Sequence, residues 1–373
     1  MVNFPAIKKS QRIVIKIGSS LLIAKNEFNF KWLESFADDV LDLKKRGIEL
    51  IIVASGAVSL GRNYLGIEKE KLKINEKQAC AACGQLILMN NFMKAFKKRN
   101  NKVAQVLLTF SDTEDRKNSL NSRETINSLL NVGVIPIINE NDTVATDELK
   151  FGDNDRLASR VAQIISADNL ILLSDVKGLY NKNPKSDRSA KLVPLVKEIN
   201  QNVFKMATNE TNLYGSGGMY TKLQAAEIAT NFGCNTLICK GNIDNPISCF
   251  LKNKIGTWFL SKRKENRGIK NWLAGTIKIS GSIMIDDGAV KALNSGASLL
   301  PSGVKKISGK FTRGDIIGII DSKGKKVGKG IVYYDSIEAD RIRGKKSSEI
   351  KNILGYEGRD EVVHRDYLTL NVK

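Results

Sequence analysis

Short apolar runs alternate with helix-like segments along the first two thirds of this 373-residue chain, and this alternation constrains the fold more than any other feature. Six runs are continuously apolar and rich in β-branched residues: 13–17, 49–54, 103–109, 134–138, 170–174 and 236–240. Apolar residues at helical spacing predict helices between them, over residues 32–46, 75–100, 156–167 and 219–232. Strands without polar alternation are typical of burial on both faces. The sequence therefore predicts an α/β fold with a mostly parallel sheet covered by helices on both faces.

The pattern changes after residue 260, where a basic and polar stretch reads as a linker. Beyond it, short strands separated by glycine-containing turns are predicted at residues 276–280, 282–286, 305–311, 315–321 and 328–335. The chain is also longer than a single core usually supports. We therefore predict a first domain over residues 1–260, a linker over 261–274 and a small β-rich domain over 275–373.

The formal net charge of +20 raises the question of a nucleic-acid partner. Residues 275–373 contribute +6 and the preceding residues +14, which is about the same density in both parts. An even spread of mostly lysine is typical of a solvated surface and not of a binding stripe. The charge suits a protein that handles anions but does not identify them.

The amino terminus and the cysteines indicate the compartment. The first twenty residues contain a charged cluster and one short apolar strand, which fits neither a signal peptide nor a membrane span. Five cysteines, an odd number, favour a reducing compartment, so we expect a cytoplasmic protein without a membrane partner. Cys80 and Cys83 form a CxxC without a second ligand pair, which favours core packing over a metal site. The only histidine, His364, disfavours catalysis that needs a histidine base.

Glycine-rich turns follow three of the apolar runs or open a helix. Lys16 ends the first run and is followed by Gly18 and Ser19, a pattern that fits phosphate binding or an ordinary strand-ending turn. Ser55 follows the second run, where open α/β sheets bind ligands and where tight turns are equally common. Residues 215–218 are Gly-Ser-Gly-Gly and lead into a helix carrying Lys222, which favours phosphate binding over a plain loop. The chain contains no GxxxxGK[ST] motif, so a P-loop is excluded.

Two polar clusters, residues 139–146 and 151–155, follow the fourth apolar run. Between them they contain seven side chains with hydrogen-bond acceptors: Asn139, Glu140, Asn141, Asp142, Asp153, Asn154 and Asp155. Helix capping accounts for one or two of these, which leaves a surplus of acceptors. Ser174 and Asp175 end the fifth run, where a nucleotide pocket and a simple turn are both compatible with the residues.

Taken in order, these segments resemble the amino acid kinase family, and the tail resembles a PUA domain. The resemblance rests on VIKIGSS, VASGAVSLGR, PIINENDTVAT, FGDNDRLAS, LLSDVKGLY, GSGGMYTKLQAAEIA and the C-terminal stretches GASLLPSGVKKISGKFTRGD and ILGYEGRDEVVHRDY. It covers nearly the whole chain.

The resemblance implies roles for individual residues. Lys16 and Lys222 correspond to the catalytic lysines, with Asp155 as the carboxylate that holds them. Ser55, Asp142 and Asn154 correspond to residues that bind the amino acid. The implied ATP-binding residues are Lys16, Gly18, Ser19, Ser174, Asp175, Ser216, Gly217, Gly218, Met219, Tyr220, Thr221 and Lys222. Two of these depart from the family pattern: Ser174 stands where threonine is usual, and Tyr220 replaces a small residue.

The implied activity is ATP-dependent phosphorylation of the γ-carboxylate of L-glutamate, the first step of proline synthesis. ATP would act with Mg²⁺, proline would be a feedback inhibitor, and the protein would form a homo-oligomer, perhaps a tetramer. Two alternatives stay open at this point. One is a relative acting on acetylglutamate, aspartate, carbamate or a nucleotide; the other is RNA binding through the PUA-like domain, which the even charge does not lead us to expect.

Overall fold

The computed structural model describes residues 5, 7–24, 27–69, 72–144, 154–184, 186–207, 218–261 and 279–370. The chain divides into two compact units, Met1–Asn266 and Arg267–Lys373. Residues 262–274, most of the predicted linker, lie outside the described residues. The exact domain limits therefore stay a prediction.

The first unit is built on an eight-stranded sheet. Its strands follow the order β5-β6-β4-β1-β7-β9-β10-β8, and all neighbouring pairs are parallel except β9 and β10. A two-stranded hairpin of β2 and β3 lies beside it in the sequence. The strands are β1 Arg12–Ile17, β2 Ile23–Ala24, β3 Glu27–Phe28, β4 Glu49–Val53, β5 Val103–Leu108, β6 Ile135–Glu140, β7 Asn169–Ser174, β8 Leu195–Val196, β9 Asn235–Lys240 and β10 Gly256–Phe259.

Ten helices are described in this unit, and every helix predicted from apolar spacing is among them. They are α1 Ser19–Leu22, α2 Phe30–Lys44, α3 Ala57–Tyr64, α4 Ile74–Lys97, α5 Phe110–Glu114, α6 Arg116–Asn131, α7 Asn154–Ile164, α8 Gln201–Ala207, α9 Met219–Asn231 and α10 Pro246–Asn253. A short 3₁₀ helix, Ile7–Lys9, precedes β1.

The central strand β1 shows why the runs are continuously apolar. Side chains alternate between the faces of a strand. Ile13 and Ile15 belong to a core cluster that includes residues of α2 and α4, whereas Val14 belongs to a second cluster with residues of α7 and α9. Because helices cover both faces, both sets of side chains are buried. The predicted α/β class with a helix-covered, mostly parallel sheet is confirmed.

Helices α3 and α4 cross at unusually short range because two glycines face each other's backbone. A Cβ atom on Gly61 would lie 1.7 Å from the Cys80 carbonyl oxygen, and one on Gly84 would lie 1.8 Å from the Ala57 oxygen. No side chain fits at either position. The contact fixes the middle of α4 against the first residue of α3, directly after the turn that ends β4.

The second unit is a five-stranded sheet with short helices, as predicted for a small β-rich domain. Its strands, in the order β12-β11-β13-β14-β15, are β11 Gly281–Ile285, β12 Val304–Gly309, β13 Ile316–Ile320, β14 Lys326–Ile331 and β15 Leu368–Leu370. Its helices are α11 Asp287–Asn294, α12 Ser336–Ile342 and α13 Ile350–Leu354, with 3₁₀ turns at Pro301–Gly303, Ser347–Glu349 and Arg365–Tyr367. The strand predicted at residues 276–280 lies mostly outside the described residues, and its last two residues are not in a strand.

None of the helices that the structure describes is long and apolar enough to cross a membrane.

Candidate active site

Lys16 is placed by strand periodicity. It shares a face of β1 with Val14, the face covered by α7 and α9, and it lies one residue before the carboxyl end of the strand. Only 5% of Lys16 is exposed. A buried ammonium group is costly unless it is paired, so its partners identify what the site is built around.

Asp155 is the partner of two lysines. The Lys16 Nζ lies 2.7 Å from Asp155 Oδ1, and the Lys222 Nζ lies 3.2 Å from Asp155 Oδ2. The hydroxyl of Thr221 also donates to Oδ2, at 3.2 Å. Asp155 begins the first turn of α7 and Lys222 that of α9, and these two helices pack together on the face to which Lys16 points.

Electrostatics in this triad favours an anionic ligand. Burial raises the pKa of Asp155, but Lys16 and Lys222 outweigh burial and lower that pKa to about 2. The carboxylate therefore stays ionised. Two cations around one anion leave an excess positive charge in a low-dielectric site, which a phosphate can neutralise.

The start of α9 adds backbone donors to this charge. Gly218 is its N-cap residue and supplies no side-chain cap, so the first amides of the helix have no side-chain acceptor from that residue. Met219 is half-buried there, whereas Tyr220 is 46% exposed and its ring packs on Phe204 at 5.4 Å between centroids. Tyr220 thus points away from buried Lys222. Ser216 and Gly217, predicted to bind ATP, lie outside the described residues.

The turns after β1 and β4 meet at the same edge of the sheet. Gly56 has a φ of +108°, which favours glycine, and a Cβ atom there would lie 3.3 Å from Ile23 Cδ1 and 3.6 Å from Ser19 Cβ. Gly18 has ordinary extended angles, but a Cβ atom on it would lie 3.9 Å from the Lys16 Nζ. A side chain at residue 18 would therefore stand beside the ammonium group.

A chain of amide side chains continues from Ser55. Asn154 donates from Nδ2 to the Ala54 carbonyl oxygen at 2.5 Å and to Asn139 Oδ1 at 2.8 Å. Asn139 Oδ1 also accepts from the Glu140 amide at 2.9 Å, and its Nδ2 donates to Gln85 Oε1 at 2.7 Å. Asn139 was one of the seven acceptors noted in the sequence but was not predicted as a site residue. Gln85 was not noted at all, because nothing local to helix α4 signals it.

Three polar atoms around this chain are buried without a hydrogen-bond partner among the described residues. They are the Ser55 Oγ, the Asn154 Oδ1 and the Gln85 Nε2. An unpaired buried polar atom costs about 1 to 3 kcal/mol, so three of them close together indicate a polar ligand.

Asp142 is 8% exposed, and no ion pair to it is recorded within the described part of the chain. Burial raises the pKa of its carboxyl group to about 6. A carboxylate in this state gains from the arrival of a cation such as the ammonium group of an amino acid.

Ser174 and Asp175 lie at the end of β7, next to β1 in the sheet. The Ser174 hydroxyl donates to Asp175 Oδ1 at 3.1 Å; Ser174 is buried and Asp175 exposed. No contact with the Lys16–Asp155–Lys222 triad is recorded for either residue among those described. The predicted residues thus form a directly bonded triad, an amide chain attached to Ser55 through Ala54, and this separate pair one strand away.

The described residues contain no group of three or more His, Cys, Asp or Glu side chains placed to hold a metal ion. In particular, Cys80 and Cys83 are both free thiols on α4.

Comparison with known proteins assigns the chain to a family. The amino acid kinase family matches residues 11–240 and the PUA domain matches residues 281–354. Glutamate 5-kinase of Bartonella henselae is 46% identical over 361 residues, covering 96% of this chain and 95% of that one. Glutamate 5-kinase of Paramagnetospirillum magneticum is 45% identical, covering 97% and 98%.

Among solved structures, the carbamate kinase from Giardia lamblia bound to AMP-PNP aligns with a TM-score of 0.50 and 17% identity, covering 68% of this chain and 100% of that one. At this identity the likeness concerns the fold alone. The full-length relatives and the matched domains go further: this chain belongs to the amino acid kinase family, where it groups with the glutamate 5-kinases, and its C-terminal unit is a PUA domain.

Proposed function

We propose that this protein transfers the γ-phosphoryl group of ATP to the γ-carboxylate of L-glutamate, giving L-glutamyl 5-phosphate and ADP, the first step of proline synthesis. The observation that carries the proposal is the buried triad of Lys16, Asp155 and Lys222 at the carboxyl edge of the sheet. Full-length relatives with this activity in their names support the choice of substrate.

The triad matches what phosphoryl transfer requires. This reaction asks the protein mainly for positioning and for positive charge on the transferring group. Lys16 and Lys222 supply two charges, and Asp155 holds both ammonium groups within 3.2 Å of its oxygens. The glutamate carboxylate is already ionised near neutral pH, so no general base is required. A chain with a single histidine can therefore perform this reaction.

The nucleotide side of the site is assigned to the turn after β1, the end of β7 and the start of α9. Gly18 and Ser19 would bring backbone groups to the phosphates beside Lys16. Ser174 and Asp175 would contact the nucleoside. The uncapped amides that follow Gly218, with Thr221 beside Lys222, would bind phosphate oxygens; the segment assigned to ATP also includes Ser216, Gly217, Met219 and Tyr220.

The amino acid side is assigned to Ser55, Asp142 and Asn154. All three offer acceptors: the Ser55 Oγ and the Asn154 Oδ1 are buried without partners, and the Asp142 carboxylate is buried without a recorded cation among the described residues. Acceptors of this kind fit the ammonium group of glutamate.

ATP would act together with Mg²⁺. The described residues offer no cluster of protein ligands for it, which fits an ion held by phosphate oxygens and water. When bound, Mg²⁺ would neutralise charge on the phosphates. The chain's own residues would orient the two substrates and exclude water from between them.

Three further properties belong to the proposal because full-length relatives share the family: inhibition by proline, assembly into a homo-oligomer, and a cytoplasmic location. The PUA domain is separate from every residue assigned to chemistry. RNA binding by this domain is not expected, because the positive charge is spread evenly over the chain.

A coupled ADP-release assay with ATP, Mg²⁺ and a panel of carboxylates tests the proposal. Glutamate is expected to be turned over, whereas aspartate and acetylglutamate should give little ADP above background. Turnover of either of these without turnover of glutamate would refute the substrate assignment. A filter-binding assay with a salt titration tests for RNA, since phosphate contacts weaken steeply with salt.

A further inference from the structure

The inference concerns Gln85 in α4 and rests on the proposed function. The residues assigned to glutamate offer acceptors for its ammonium group but no donor for its α-carboxylate. Three cationic side chains are classed as buried in the described residues: Lys16, Arg123 and Lys222. The two lysines pair with Asp155, and Arg123 donates to the Ile164 carbonyl oxygen at the other end of α7. A neutral donor is therefore needed.

Backbone groups determine which end of each amide in the Asn154–Asn139–Gln85 chain is the donor. The Ala54 carbonyl can only accept, so Asn154 must turn its NH₂ group toward it and leave Oδ1 for a ligand. The Glu140 N–H can only donate, so Asn139 must turn Oδ1 toward it and its NH₂ toward Gln85. Gln85 consequently accepts with Oε1 and has its own NH₂ group left over.

The two ends of this chain are complementary to an α-amino acid. At one end, the Asn154 Oδ1 is a buried acceptor without a partner, and at the other, the Gln85 Nε2 is a buried donor without a partner among the described residues. The ammonium and carboxylate groups on the α-carbon of an amino acid need one of each. An unpaired buried donor is otherwise hard to explain in a well-packed interior.

The packing of α3 on α4 explains how a residue in the middle of a long helix reaches this place. Gly84 lies against the Ala57 carbonyl, at the start of the helix that follows Ser55 and Gly56. Gln85 is the next residue after Gly84, so the glycine contact brings its side chain to the end of β6, where Asn139 lies.

We propose that Gln85 binds the α-carboxylate of the amino acid substrate through Nε2 and thereby helps to select α-amino acids. Its Oε1 stays engaged with Asn139, so the donor is held in a fixed direction. Gln85 thus acts in substrate recognition and not in phosphoryl transfer.

The variant Gln85→Glu tests this directly. It keeps an acceptor for Asn139 but replaces the free NH₂ group with a carboxylate oxygen, which repels the α-carboxylate. We expect the KM for glutamate to rise about tenfold to a hundredfold, the range for losing a hydrogen bond to a charged group. The KM for ATP should change by less than about twofold, because the nucleotide side does not involve this residue.

A substrate change provides the second readout. In the α-amide of glutamic acid, the α-carboxylate is replaced by a carboxamide that can donate to Glu at position 85, while the γ-carboxylate remains. The ratio of kcat/KM for glutamate to that for the α-amide should fall at least about tenfold in Gln85→Glu. A purely structural role would lower both values together and leave the ratio unchanged.

Asn91→Asp is the matched control. Asn91 is another half-buried amide on α4, and its recorded hydrogen bond goes to the Ile87 oxygen of the same helix. This variant introduces the same charge into the same helix and should keep the wild-type ratio. If Gln85→Glu does not fold, Gln85→Met removes the donor without adding charge and should also reduce the ratio.

The outcomes separate this inference from the proposed function. A wild-type protein that does not phosphorylate glutamate refutes the proposed function. A wild-type protein that does so, combined with an unchanged ratio in the folded position-85 variants, refutes the role of Gln85 alone.

Discussion

The buried carboxylate of Asp142 should cost the folded protein stability, and removing its charge should recover that stability. In an unfolded chain its pKa is 3.8, and burial raises the pKa to about 6 in the folded protein. Between these values the folded protein retains a proton that the unfolded chain has released. The penalty is therefore absent below the unfolded value, grows as the pH rises, and levels off above the folded value.

The magnitude follows from the shift of the pKa. One pKa unit corresponds to about 1.4 kcal/mol, so a shift of about two units destabilises the folded protein by about 3 kcal/mol near neutral pH. At about pH 5, linkage leaves about half of this penalty. The variant Asp142→Asn keeps the shape and loses the charge. At about 2 to 4 °C per kcal/mol, its melting temperature near neutral pH should exceed that of the wild type by about 5 to 10 °C.

Thermal melts of both proteins near pH 7 and near pH 5 test this reasoning, and the difference in melting temperature should shrink at the lower pH. Asp42→Asn is the control, because this aspartate on α2 is 63% exposed and its loss removes the same charge from an already cationic chain. No gain in stability for Asp142→Asn, or a gain that does not depend on pH, would refute the account of the buried charge. In the same variant the KM for glutamate should rise about tenfold to a hundredfold, because the ammonium group loses an ionic partner.

Three further predictions concern other parts of the chain. Lys16→Ala and Lys222→Ala should each lower kcat by about 10² to 10³ while the fold survives; a large loss in melting temperature with little change in kcat would contradict the assignment. Asn154→Ala should raise the KM for glutamate and leave that for ATP nearly unchanged, and an effect confined to ATP would move this residue to the nucleotide side. A chain ending near residue 271 should fold and phosphorylate glutamate, because every residue assigned to chemistry precedes that point; a cooperative melt without activity would show that the PUA domain contributes to the site.

The sequence predicted the elements that are buried on both sides and missed those that are not. Strand β7 was predicted at residues 170–174 and spans Asn169–Ser174, with every residue buried. Helix α6, Arg116–Asn131, was not predicted, because only Leu120, Arg123 and Ile126 are buried and one of these is charged. Strand β10, Gly256–Phe259, was also missed: it is short and antiparallel to its neighbour β9, so it falls outside the alternation on which the prediction relied.

The candidate site divides in the same way. Lys16 and Lys222 were predictable because each stands where strands end or helices begin, and there the position in the element implies the location in the fold. Gln85 lies in the middle of a 24-residue helix. Its place beside Asn139 depends on the glycine crossing of α3 and α4, and a single sequence does not reveal which helices cross. Residues that act through such long-range packing require the structure.

Asp142 and Asp155 are residues of one type with opposite pKa shifts, and the contrast follows the length of the proposed substrate. Burial acts on both carboxyl groups, but two lysines outweigh it at Asp155 and lower the pKa to about 2, whereas burial alone acts on Asp142 and raises the pKa to about 6. The γ-carboxylate of glutamate and the phosphates would meet the end with surplus positive charge. The ammonium group would meet the end that lacks a cation. A ligand placed in reverse would bring its ammonium to two lysines and its carboxylate to Asp142, and both contacts would be repulsive. The charges of the site alone would therefore select the direction in which glutamate binds, before any contact between shapes is considered.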